Sequence, residues 1–206
     1  MFTIRKSIVF CFMLAGSAVA QSITFQGQIA LWPVGKTGVL KVMPVPAQYV
    51  PSLLPDPLAS APINARGEFK VTIKGPFPEK YLLPDQNSNA PCKGEIKPRN
   101  PRSGMPSFWV YNKQGQAITM LDLKSQRYVE KDTKSMMVVG PIYVPVTTSF
   151  KFKCTVEGTS LDTNMVLQPG WNIMEAISSR KSIQMRKVTS VSSKVYWWPW
   201  ADLNGL

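Results

Sequence analysis

Glu68-Phe69-Lys70-Val71-Thr72-Ile73-Lys74 puts an apolar side chain at every second position and a polar one between each pair. Successive side chains of a strand point to opposite faces, so this spacing buries Phe69, Val71 and Ile73 and leaves both lysines in water. The same period recurs upstream, where Ile23, Phe25, Gly27, Ile29 and Leu31 alternate with Ser22, Thr24, Gln26, Gln28 and Ala30. It recurs downstream, where Phe150, Phe152, Cys154 and Val156 alternate with Lys151, Lys153, Thr155 and Glu157. Strands with one wet face belong to antiparallel sheets. Further strands are expected near 38–43, 107–112, 116–123, 135–144, 160–167, 171–177, 182–189 and 193–198. No stretch after residue 20 combines helical period with caps. The expected architecture is all-β, an antiparallel β-sandwich with long Pro-rich loops.

Most of the 18 prolines lie between Pro44 and Pro106. Proline has no N–H for a ladder, so the segments near 44–62 and 84–106 are expected as irregular surface connections, outside the middle of any sheet. Residues 21–206 are read as one domain around a single core.

Residues 1–20 have a different character. Arg5 and Lys6 precede an apolar run from Ile8 to Ala15, and Ala18-Val19-Ala20 stands before Gln21. A charged start, a short apolar run and an A-x-A site together read as a cleavable secretory signal peptide. The run falls well short of the roughly 20 residues that span a bilayer, and no later segment is apolar enough to do so. The expected location is periplasmic or secreted. Of the three cysteines, Cys11 would leave with the signal. That leaves Cys92 and Cys154, which in an oxidising compartment are expected to form one disulfide.

The chain contains no histidine. That removes Ser-His-Asp and Cys-His nucleophilic systems, histidine bases and histidine-ligated zinc. Two cysteines cannot build a four-cysteine metal site. The acids are scattered singly, so no pair is marked for glycoside hydrolysis. No catalytic, metal or cofactor residue is assigned, and the expectation is a non-enzymatic protein.

Two features point to binding. The first is charge: the formal net charge is +12, which favours acidic partners. Arg180, Lys181, Arg186, Lys187 and Lys194 follow one another without an intervening acid, and Lys70, Lys74, Lys151 and Lys153 could extend a positive face. The second is aromatic: Trp197, Trp198 and Trp200 follow Tyr196 near the C-terminus. In a strand Trp197 and Trp198 point to opposite faces, so one packs inward while the other reaches solvent.

Asn64-Ala65-Arg66-Gly67-Glu68-Phe69 resembles the D-x-x-G-x-F signature of carboxypeptidase-regulatory-like and transthyretin-like sandwiches, with Asn in place of the acid. Gly27, Trp32, the Ala61-Pro62-Ile63 to Phe69 hairpin and Pro169-Gly170-Trp171-Asn172 together resemble a group of exported deinococcal β-sandwich proteins without an established activity. Both resemblances imply an all-β fold, and neither implies a reaction.

The expected function is an exported binding protein of the cell envelope or extracellular space. Its basic surface would meet an anionic polysaccharide or lipid headgroups. The alternative is a structural or assembly protein that binds an envelope protein through a sheet edge or the tryptophan strand. A carboxylate-dependent glycan hydrolase is the third reading. Nucleic acid is disfavoured as a partner, because no recognised binding motif is present.

Overall fold

The computed structural model describes residues 22–45, 55–84, 94–99, 101–125, 135–156, 158–179, 181–189 and 195–206. The expected signal segment lies outside them. The strands are β1 (Ser22–Gln28), β2 (Gly38–Pro44), β3 (Ala59–Ile63), β4 (Glu68–Lys74), β5 (Leu83–Pro84), β6 (Gly94–Lys97), β7 (Arg102–Ser103) and β8 (Pro106–Tyr111). Then come β9 (Ala117–Ser125), β10 (Ser135–Val144), β11 (Thr148–Val156), β12 (Thr159–Leu167), β13 (Gly170–Ser179), β14 (Ser182–Val188) and β15 (Val195–Pro199). A 3-10 turn at Glu79–Tyr81 is the one helical element among the described residues. The fold is all-β.

The main sheet has 11 strands in the order β3-β2-β8-β9-β10-β13-β14-β12-β11-β6, with β15 also paired to β9. β1 and β4 form a separate two-stranded layer, as do β5 and β7. One pairing departs from the antiparallel expectation: β12 and β14 run parallel. Chain direction explains it. Pro169-Gly170 reverses the chain between β12 and β13, and β14 pairs antiparallel with β13. Two reversals restore the direction of β12, beside which β14 is inserted.

The proline-rich segments do more than connect. They supply β3 and β6, the two ends of the main sheet, and Pro62 lies within β3. An edge strand needs ladder hydrogen bonds on one side only, which is why proline is tolerated there. The alternation at the N-terminal strand ends sooner than its pattern suggests. Ile29 is buried, but Leu31 has φ 57 and is 77% exposed, because the chain has already entered a turn.

The hairpin between β3 and β4 shows how local chemistry sets this corner. Asn64 Oδ1 accepts hydrogen bonds from the Arg66 and Glu68 amides, and the Gly67 amide donates to Asn64 O. Gly67 sits at φ 78, and a Cβ there would lie 2.5 Å from Trp32 Cγ. Phe69, Val71 and Ile73 then point inward as their spacing requires, and all three are buried.

Among the described residues there are two cores. The larger lies between the β1–β4 layer and the first half of the main sheet, and includes Phe25, Leu40, Val42, Ile63, Phe108, Val110, Leu121 and Trp197. The smaller gathers Ile142, Val144, Phe150, Met165 and Leu167. β10 serves both: Val139 and Tyr143 join the first, while Ile142 and Val144 join the second. The cores therefore occupy opposite faces of the same strand. Burying one such aliphatic side chain stabilises by roughly 1.5–3 kcal/mol, so a strand buried on both faces contributes more per residue than a half-wet one.

Candidate functional site

The site grows from β15 and its neighbour β9. Trp197 is 3% exposed and packs against Phe25, Phe69 and Phe108 with centroids 5.9, 5.2 and 4.8 Å away. A Cβ on Gly27 would stand 2.9 Å from its indole. The Ala30 amide donates to Trp197 O at 2.8 Å, which ties β15 to the end of β1. Trp197 is thus a core residue that fixes its strand, and its neighbours on β15 turn outward.

Tyr196 lies opposite Lys124 and Trp198 opposite Asp122. Lys124 Nζ is 2.8 Å from Asp122 Oδ2 and 5.5 Å from the Trp200 ring centroid. Trp200 is 63% exposed, and its amide donates to Met120 O at 3.0 Å. Trp198 is half-buried, and its Nε1 has no hydrogen-bond partner. This face therefore carries the exposed rings of Tyr196 and Trp200 beside a largely buried Lys124–Asp122 ion pair.

Beside it lies an open cleft of about 350 Å³. Its origin is local. The β9–β10 ladder pairs Val138 with Lys124 and Val139 with Leu123, then stops. Next come Gly140 and Pro141; glycine offers no side chain and proline no N–H for a further rung. A Cβ on Gly140 would meet nothing within 4 Å, so the floor is open. Met105 and Met120 line the cleft from the β8–β9 side, Met174 and Met185 from the β13–β14 side. Asp122 and Glu175 also line it, and each is ion-paired, to Lys124 and Arg186 respectively.

The expected basic group is not gathered on one surface. Lys70 and Lys74 lie in the β1–β4 layer, away from the main sheet. Lys151 and Lys153 lie on β11 opposite Asn164 and Asp162, with Glu95 also opposite Lys151, so acids interleave with them. Arg186 Nε donates to Glu175 Oε2; the glutamate is 4% exposed and the arginine side chain 61%. Lys187 lies opposite Met174, on the other face of β14 from Arg186. Lys181 is exposed at the turn between β13 and β14. Arg180 and Lys194 lie outside the described residues. Alternation within a strand separates adjacent cations, which a run of charges in sequence conceals.

Cys154 is half-buried on β11 and is not without an interaction partner. Cys92 lies outside the described residues. Glu68 is held below the usual carboxylate range, first by its hydrogen bond from Asn64 and then by that from Arg66. Glu95 is likewise lowered, chiefly by its hydrogen bond from Lys97. Among the described residues no three His, Cys, Asp or Glu side chains gather where they could hold a metal ion, and no helix is long and apolar enough to cross a membrane.

The four cleft methionines and Gly140 carry no periodic signal of their own. The trace that sequence reasoning passed over is Gly140-Pro141 inside an otherwise apolar strand, the mark of a broken ladder. No protein-family profile, curated protein or solved structure matches the chain.

Proposed function

We propose that the chain is an exported, non-enzymatic binding protein whose outward face over β9 and β15 meets an anionic component of the cell envelope, a polysaccharide or lipid headgroups. The observation that carries this reading is Trp200, exposed with Lys124 beside its ring, on a strand anchored from beneath by Trp197. Aromatic platforms give contact area, and because Lys124 is held in its ion pair with Asp122, the preference for negative charge comes from the chain's net charge of +12. Residues 1–20 act as the export signal in this reading, and Cys92 pairs with Cys154 across about 60 residues, a closure worth roughly 4 kcal/mol in the chain-entropy picture.

The chain is expressed from its own first codon in an exporting cell, and the mass of the product records whether residues 1–20 are removed. Thiol labelling before and after reduction tests the disulfide: both cysteines should label only after reduction. Co-sedimentation with purified envelope fractions then tests binding at low and high salt. Binding should fall in high salt and weaken in Lys187→Glu and in Trp200→Ala. Retained binding in both variants would refute the surface assignment. Arg186 is a poor target, because its removal strands Glu175.

The second reading is assembly with an envelope protein through the same strand, favoured by the exposed apolar area of Tyr196, Trp200 and Met105. It predicts salt-resistant binding to one protein-containing fraction. Its sheet-edge version has less support, since β3 carries Pro62 and β6 is four residues long with Glu95 and Lys97, features that discourage strand addition. A carboxylate hydrolase is the third. The acids lining the cleft are Asp122 and Glu175, and each is neutralised by a cation; product release from envelope glycans that stops in Asp122→Asn or Glu175→Gln would favour it.

A further inference from the structure

We infer that the methionine-lined cleft seats an acyl chain of an anionic lipid, with Lys187 at its rim meeting the headgroup. This rests on the outward face of β9 and β15 being the contact surface, and it selects the lipid over the polysaccharide.

The lining supports an apolar guest. Val45, Met105, Met120, Met174 and Met185 are among its lining residues, with Phe108, Leu121 and Val138. Methionine is unbranched and has three rotatable bonds, so four thioethers around one opening adapt to a flexible chain better than branched side chains would. The volume of about 350 Å³ falls at the small end of the range for ligand sites, roughly 300–1,000 Å³. It suits part of one chain rather than a folded partner.

The charges support an anionic head. Asp122 and Glu175 are paired with Lys124 and Arg186, so the lining holds no uncompensated carboxylate to repel a phosphate. Lys187 stands in register beside Met174 and on the same face, and no salt bridge engages it among the described residues. Tyr196 and Trp198 lie opposite Lys124 and Asp122 on β9, Lys124 lies against the Trp200 ring, and Asp122 also lines the opening. Such rings, apolar with one polar tip, concentrate at the boundary between lipid and water. An apolar slot, a cation with no salt bridge among the described residues and outward aromatics thus share one side of the sheet.

Two binding assays separate this inference from the reading beneath it. The exported chain is mixed with phosphatidylglycerol or phosphatidylcholine vesicles to measure surface binding. It is also titrated with parinaric acid, a fluorescent acyl probe, with short-chain phosphatidylglycerol or phosphatidylcholine as competitor. Parinaric acid should bind saturably, and the phosphatidylglycerol should displace it better. Gly140→Leu fills the open floor and should weaken probe binding at least tenfold while vesicle binding persists. Met105→Glu, at a position already partly exposed, serves if Gly140→Leu fails to fold, and should do the same. Lys187→Gln should weaken the phosphatidylglycerol competition about fivefold, the loss expected for one cation near an anionic headgroup.

Vesicle binding without probe binding would overturn the cleft inference and leave the surface reading standing. Probe binding unchanged in folded Gly140→Leu and Met105→Glu would also overturn it. Failure of both assays in the unaltered chain would overturn the inference and the lipid form of the surface reading together. Capture of an envelope protein that Gly140→Leu blocks, with no probe binding, would give the cleft to a peptide segment and overturn the lipid assignment.

Discussion

Replacing Trp197 with alanine should unfold this protein well before replacing Trp200 does, although the two lie three residues apart. Trp197 is 3% exposed and sits among Phe25, Phe69 and Phe108. Removing a buried Trp or Phe side chain costs about 3–5 kcal/mol through lost transfer energy and the cavity left behind. Edge-on aromatic pairs add roughly 0.5–1.5 kcal/mol each beyond their area, which places Trp197→Ala at the upper end, near 5 kcal/mol. For a domain of about 150–250 residues, each kcal/mol moves Tm by about 2–4 °C, so the expected fall is roughly 10–20 °C. Trp200 is 63% exposed, and a surface substitution of this kind changes stability by about 0.5 kcal/mol or less. Its Tm should move by no more than about 2 °C. Thermal unfolding followed by near-ultraviolet circular dichroism compares the two at matched concentration. If Trp197→Ala does not fold, urea unfolding of Trp197→Phe gives the milder form of the same loss. Equal shifts for Trp197 and Trp200 would refute the division of β15 into a buried anchor and an outward contact face.

Arg186→Ala should destabilise by about 2 kcal/mol by stranding Glu175; the value lies below the roughly 3–5 kcal/mol of a fully buried pair because the guanidinium is largely in solvent. The double variant Glu175→Met with Arg186→Met should recover most of that loss in urea unfolding, and a double variant worse than Arg186→Ala would contradict the argument. Gly67→Ala should cost about 2 kcal/mol, from a positive φ and the approach to Trp32, and a neutral result in the same assay would mean that the corner relaxes freely. Glu68 is lowered in the folded chain, so its contribution is present above the ordinary carboxylate range and is lost as pH falls through the depressed folded value. Asn64→Ala removes the largest cause of that lowering, so a carboxyl-detected NMR titration should find Glu68 moved up toward its ordinary value; an unmoved titration would show that Arg66 alone holds it.

Some of this was legible from the residues. Side-chain alternation is local, and the period-two stretches at Ser22–Gln28, Glu68–Lys74 and Thr148–Val156 fold as strands. The Asn64 to Gly67 corner follows from two residues whose chemistry acts within four positions. Clustered prolines marked where central strands do not run, though they did not disclose that β3 and β6 would cap the sheet. Alternation also implied that Trp197 and Trp198 part company, without saying which one enters the core.

Only the tertiary structure decided the rest, because strand partners are set between residues far apart in the chain. That Arg186 meets Glu175 while Lys187 faces away beside Met174 depends on the register of β13 against β14. That β10 carries a core on each face depends on β13 beside it and on both cores closing over it. The cleft exists because β9 parts from β10 at Gly140-Pro141 while β13 and β14 continue past it. Periodicity determines which side of a strand is apolar. Packing determines which apolar sides meet, and so leaves the opening beside the tryptophans of β15.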